Sequence, residues 1–211
     1  MEWNAVNHVG LGRMSRRREA LLEAAAEVFF EQGYAAASID AIIERAGGSK
    51  RNIYSEFGNK EGLFAAIVTG NADEALSSLT IDNIEERDLA EILTVFGRHL
   101  LRLYMSPTVV GIYRLAVTEA NRFPDLVKTF YEQGPGRTTI RLAEILQHAQ
   151  TRHEIGMGDC PRLADRFIGM IRDNLHLQVV LGLRPPPSEA EADEAVRSAV
   201  DVFLNGIRVS R

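Results

Sequence analysis

Apolar residues recur at three- and four-residue spacing along almost the whole chain, and strand-like alternation is nearly absent. Leu21, Ala25 and Phe29 fall at i, i+4 and i+8, which predicts a first helix over about 16–32 that ends at Gly33. A second helix over 39–46 follows Ser38, a good N-cap, with Ile39, Ile42, Ile43 and Ala46 on one stripe. Ser49 caps a third over 50–57, and Gly58 stops it. A fourth starts behind Asn59 and runs through Leu63, Phe64 and Ile67 into the high 70s. Longer segments follow over 88–105, 108–121, 125–153, 161–182 and 188–208, the third of these interrupted at Gly134-Pro135-Gly136. Pro185-Pro186-Pro187 makes a stiff break, and Ser188 behind it caps the last helix. The fold class read from this pattern is all-α, about nine helices.

The third helix is too short to be stable alone, so its neighbours have to hold it. At 100° per residue, Ile53 and Phe57 form one apolar stripe, and the opposite face carries Arg51 and Ser55 flanked by Asn52 and Tyr54. A guanidinium forks onto guanine, an amide onto adenine, and hydroxyls reach phosphate. The helix N-terminus, with Lys50 beside it, favours an anion. The second helix, the Ala46-Gly47-Gly48-Ser49 turn and the third helix therefore read as a helix-turn-helix whose third helix faces DNA. A short helix with a solvated polar face inside a bundle is the plainer alternative.

Charge does not decide between them. The chain carries net −5, and residues 1–70 hold 8 Lys/Arg against 9 Asp/Glu. Any contact with nucleic acid has to come from local placement, and the cations do cluster, as Arg13, Arg16, Arg17 and Arg18, then Lys50, Arg51 and Lys60.

From Arg17 to Ile67 the sequence resembles the tetracycline-repressor (TetR) family of bacterial transcriptional regulators. The resemblance rests on Ala25, Phe29, Glu31-Gln32-Gly33-Tyr34, Ser38-Ile39, Ile42, Ala46-Gly47, Ser49, Ile53-Tyr54, Phe57 and Lys60-Glu61-Gly62-Leu63-Phe64. It implies that Ser38, Lys50, Tyr54 and Lys60 contact phosphates, with Ser49 at the same surface, while Arg51, Asn52 and Ser55 face bases. Gly48 and Glu56 depart from the family pattern, so no phosphate contact is expected at Glu56. The segment Arg114…Glu119-Ala120…Arg122-Phe123-Pro124-Asp125-Leu126 is similar to AefR-like regulatory domains. The implied organisation is a flexible tail over 1–13, a DNA-binding domain over 14–62, and a ligand-binding and dimerisation domain over 63–211.

The last two helices carry broad apolar arcs. That of 161–182 is wider than one side of a core requires, fitting either a central helix of a monomer or a helix shared with a second subunit. The resemblance favours pairing with a second copy, through Phe167, Ile171, Leu175, Val196, Val200, Phe203 and Ile207. Asn174 and Gln178 interrupt the arc, and His176 falls on the opposite, polar face. Together with His99, Tyr104, Tyr113 and Glu119 they offer the few polar groups of a mostly apolar ligand pocket, although each alone reads as readily as a satisfied core residue.

Nothing points to catalysis. His148, His153 and Cys160 lack metal-site spacing, and neither a nucleophile elbow nor a phosphate loop is present. No cofactor and no metal are expected. With one cysteine, no secretory signal and no long apolar run, a cytoplasmic setting without membrane contact is expected. The partners expected are a double-stranded DNA operator, a small hydrophobic or aromatic effector, and a second copy of the chain. The alternative is a helical interaction module that neither binds DNA nor responds to a ligand.

Overall fold

The computed structural model describes residues 5–77 and 88–207. The described residues form ten helices: α1 (Ala5–Ala36), α2 (Ile39–Ala46), α3 (Lys50–Phe57), α4 (Lys60–Ser77), α5 (Leu89–Tyr104), α6 (Pro107–Glu119), α7 (Pro124–Gln133), α8 (Pro135–Thr151), α9 (Cys160–Val180) and α10 (Glu189–Ile207). The segment expected over 125–153 is two helices, because the backbone at Gly134 (φ −110°, ψ −100°) is not helical and Pro135 starts afresh. The backbone of 5–13, expected as a tail, continues α1, since each residue added to an existing helix gains a hydrogen bond without a new nucleus. Residues 1–4 of that tail lie outside the described residues.

Two apolar clusters organise the chain. The first joins α1–α4 around Phe29, Tyr34, Ile42, Ile53 and Phe64, and takes in Ile112 and Leu115 of α6 and Leu126 of α7. The second joins α5, α8, α9 and α10 around Phe96, Leu142, Phe167, Val196 and Phe203. α6 thus contributes to the first cluster from the side of the second. It lies close against α1 at Gly111, where a Cβ would come within 2.6 Å of the Phe30 ring. At the α3–α4 corner a Cβ on Gly62 would run into the Phe57 carbonyl oxygen. At Gly62 only glycine allows the approach, whereas a side chain at 111 would have to push the Phe30 ring aside.

The stripe expected to pair two subunits lies inside the monomer. Phe167, Ile171, Val196, Val200 and Phe203 are all buried in the second cluster, with Phe167 stacked on Phe96 at 6.4 Å and tilted against Phe203 at 5.0 Å. Leu175 and Ile207 are half-buried against it. A single chain already surrounds α9 with neighbours, since α5, α6, α8 and α10 all pack against it. The wide arc therefore answers a monomer core.

The C-terminal third of α9 also departs from the regular wheel. Asp173 has φ 41° and ψ −162°, and beyond it the buried side is displaced by roughly a quarter turn at 100° per residue. Asn174 and Leu177 are exposed, Gln178 is half-buried, and His176 is buried at 4% exposure. Arg114 of α6 fastens the end of this helix, donating from Nε to the Val180 carbonyl at 2.7 Å and from Nη2 to that of Val179 at 3.0 Å.

Phe167→Ala should therefore destabilise the chain by about 3–5 kcal/mol, the usual cost of emptying a buried aromatic site. Urea unfolding measures it. A variant of wild-type stability that had only lost self-association would contradict this packing.

Candidate nucleic-acid interface and ligand cavity

The face predicted for α3 is the face the fold exposes. Ile53 is 2% exposed and Phe57 half-buried, while Arg51, Asn52, Tyr54 and Ser55 stand in solvent. Both turns ahead of the short helices are capped by side chains. Ser38 Oγ accepts from the Ala41 N–H at 3.1 Å, and Ser49 Oγ from the Asn52 N–H at 3.3 Å. Capping uses an acceptor lone pair, so each hydroxyl proton is left to donate to a phosphate. Lys50 reaches across to Asp40 of α2 at 2.8 Å, an exposed, screened pair that a phosphate can replace. Arg18 of α1 pairs with Glu56 at 2.9 Å and lies over the Phe57 ring at 5.6 Å. The residue that departs from the family pattern thus ties α3 to α1.

Lys60 is placed differently from the phosphate contact expected of it. Its ammonium donates to the carbonyls of Tyr34 at 2.7 Å, Ala35 at 3.3 Å and Ala37 at 3.1 Å, and sits 4.5 Å above the Tyr34 ring. All three N–H donors are engaged. The group closes the C-terminal end of α1, where unsatisfied carbonyls and the helix dipole attract a cation.

The six residues expected to line a ligand pocket are not gathered in one place. Tyr104 and Tyr113 do meet, in a small, partly open cavity of about 50 Å³ bounded by Val68 and Asn71 of α4, Leu100 and Leu103 of α5, Ile112 of α6, Phe130 of α7, and Arg172 and His176 of α9. His99 is exposed, its Nδ1 3.0 Å from the Val95 carbonyl, and it lines a separate open cleft of about 670 Å³ between α1, α4 and α5. Glu119 is buried at the α6–α1 contact, with Oε1 3.5 Å from where a Cβ on Gly33 would stand and Arg122 at 3.7 Å. Asn174 points to solvent and Gln178 lies outside the cavity lining, both displaced by the break at Asp173.

In their place the fold supplies Arg172 and His176. The His176 ring lies 5.4 Å from that of Tyr104 and 5.1 Å from that of Tyr113. The Arg172 guanidinium sits over both tyrosine rings, at 5.4 and 5.5 Å, and Nη2 donates a long bond of 3.5 Å to the Tyr113 hydroxyl. Tyr104 Oη and His176 Nε2 are buried without a hydrogen-bond partner. Such orphans are rare in native interiors. Burial pushes the Tyr104 phenol up to about 12. Burial, reinforced by the Arg172 charge, brings His176 down to about 4. A regular wheel puts His176 on the polar face, and the sequence carries no signal for the break that turns it inward.

Two outcomes follow. Lys60→Met should lower the stability of the DNA-free chain by roughly 1–3 kcal/mol, as expected for charge-assisted bonds; a pure phosphate contact would leave thermal melts without DNA unchanged. Between pH 6.5 and 4 the unfolded His176 binds a proton that the folded one refuses, so this group's contribution to stability falls as pH drops through that window. From pH 7 to 5 the wild type should lose more melting temperature than His176→Gln, and equal losses would count against a buried neutral imidazole.

Among the described residues no helix is long and apolar enough to cross a membrane. Residues 21–67 match the bacterial regulatory proteins of the tetR family, and residues 91–206 match the C-terminal domain of AefR-like transcriptional repressors. The transcriptional activator FasR of Mycolicibacterium smegmatis is 43% identical over 63 residues, 30% of this chain and 29% of its own; the chain thus spans less than a third of that relative. Among solved structures, the flavonoid-responsive regulator FrrA is similar with a TM-score of 0.74 at 31% identity, over 93% of this chain and 100% of that one. A TetR-family regulator from Mesorhizobium loti gives a TM-score of 0.76 at 26% identity, over 93% and 99%. With a helix-turn-helix whose polar face is open to solvent and a helical domain matched to regulators over more than half the chain, the protein belongs to the TetR family of transcriptional regulators and is not an enzyme.

Proposed function

We propose that the chain is a dimeric repressor that binds an inverted-repeat operator through α2 and α3 and lets go when a small aromatic molecule enters the α5–α6–α9 cavity. The mostly apolar cavity with two orphaned polar groups carries this reading. Its walls are aromatic and aliphatic, and Tyr104 Oη and His176 Nε2 offer hydrogen bonds that no protein group takes up. The similarity to a regulator named as flavonoid-responsive supports an aromatic effector. Arg51, Asn52 and Ser55 read bases, while Ser38, Ser49, Lys50 and Tyr54 hold phosphates.

A cavity of about 50 Å³ is far below the ~300–1,000 Å³ of typical ligand sites, so an effector has to part its walls. One of those walls is α6, which presents Tyr113 to the cavity and packs Gly111, Ile112 and Leu115 on or beside α1. Expansion of the cavity then moves α1 and the reader with it. The effector favours the expanded state by its difference in affinity for the two states. Pairing of two copies would use the outward faces of α9 and α10, where Gly169, Leu177, Ser198 and Val202 are exposed, in place of the buried stripe. Two-fold pairing matches a two-fold operator.

Reciprocity is the test. An aromatic compound that raises the melting temperature should weaken operator binding, and operator should weaken its binding by the same factor. Arg51→Ala should cost roughly 1–3 kcal/mol on operator and little on random DNA, leaving the compound's affinity for DNA-free protein unchanged. Identical compound affinities with and without operator would end the gating reading.

A further inference from the structure

Arg172 differs from the other arginines whose contacts are resolved. Arg45 is paired with Glu31, Arg98 with Asp193, Arg137 with Asp73 and Arg184 with Glu191, and Arg114 forks onto the carbonyls that end α9. Arg172 has two tyrosine faces and one 3.5 Å bond to a phenol. It lines the cavity, and among the described residues no carboxylate lines it with Arg172. The cavity thus brings a half-buried guanidinium, held over two aromatic faces, beside two buried polar atoms that have no partner, a grouping that suits an anion able to accept charge-assisted hydrogen bonds.

Resting on the aromatic-effector reading above, we infer that the effector carries an acidic oxygen, a carboxylate on an aromatic ring, which Arg172 receives while Tyr104 Oη and His176 Nε2 complete its hydrogen bonds. Each group fits the part. The guanidinium offers parallel N–H donors that match a carboxylate in its plane. The Tyr104 hydroxyl is a donor with nothing to donate to, and a neutral His176 protonated at Nε2 is a second. The long Tyr113 bond is easily exchanged for the ligand. The remaining walls, Phe130 and Ile112 among them, suit the ring. A neutral amide of the same shape would bury its own N–H groups facing a cation, so it should be the poorer ligand.

The experiment uses the full chain and matched probe pairs of increasing ring size: benzoate with benzamide, and 1-naphthoate with 1-naphthamide, titrated calorimetrically at pH 7.5. The acids should bind roughly ten- to a hundredfold more tightly than the amides, the range of a charge-assisted bond, and should release DNA from the protein in a gel shift. Arg172→Met should abolish the preference, and Arg172→Lys should restore part of it. The wild-type comparison stands even where Arg172→Met fails to fold. Amides that bind as well as acids would overturn the charge assignment and leave the aromatic-effector reading intact. Failure of both probes in each pair, with DNA binding retained, would overturn the two together. An acid preference that survives Arg172→Met would place the anion elsewhere and overturn the assignment.

Discussion

The C-terminal end of α1 is held by a single cation, and both halves of the molecule are referred to that end. Lys60 takes up three carbonyls there while lying on the Tyr34 ring. Tyr34 packs on Phe29 and Phe64 from the DNA-binding side and on Phe123 from the regulatory side, with ring centres 5.1–6.0 Å apart. Unsatisfied carbonyls at a partly buried helix end are costly. Because Lys60 is the first residue of α4, satisfying them also fixes the angle at which α4 leaves the reader. The α2–α3 unit hangs from this arrangement through its small core of Ile39, Ile42 and Ile53.

The second dependence runs through α6. Its residues divide between two environments within one turn of helix: Gly111 admits Phe30 of α1, and Tyr113 faces the cavity. Arg114 is bonded to the last carbonyls of α9, the helix that carries Arg172 and His176. Packed interiors shift between discrete arrangements and do not deform smoothly, so a helix bonded at one side to the cavity wall and at the other to α1 moves as a unit. On the proposed reading, this would give the acidic chain a way to regulate a contact that its net charge of −5 does not favour. DNA affinity would then rest on a few placed cations and caps, which a small displacement of that set would disturb.

The polar lining of the cavity illustrates how a local backbone feature changes chemistry. Asp173 interrupts α9 between Arg172 and His176. On a regular helix the amides Asn174 and Gln178 would face the core; with the break they turn outward, and an imidazole turns in. The site therefore holds a guanidinium, an imidazole and two phenols, a set suited to an anion, where two amides would suit a neutral ligand.

By itself the sequence determined what depends on local spacing. Most helix limits followed from apolar periodicity and from Ser, Gly and Pro at the ends, the start of α1 and the α7–α8 junction excepted. The exposed face of α3 followed from Ile53 and Phe57 being four residues apart, because a short regular helix leaves no freedom in which side is buried. Family membership was legible for the same reason, the motif being local. Tertiary structure alone decided what depends on which surfaces meet. Phe167, Val196 and Phe203 were visible as apolar stripes, but whether a stripe meets its own chain or a copy depends on which helices pack around α9. Lys60 was visible as a cation, but its partners are carbonyls more than twenty residues away. His176 was assigned to the wrong face because a backbone break at Asp173 has no signature in residue type. Its burial comes from Tyr104 and Tyr113, brought to it by two other helices.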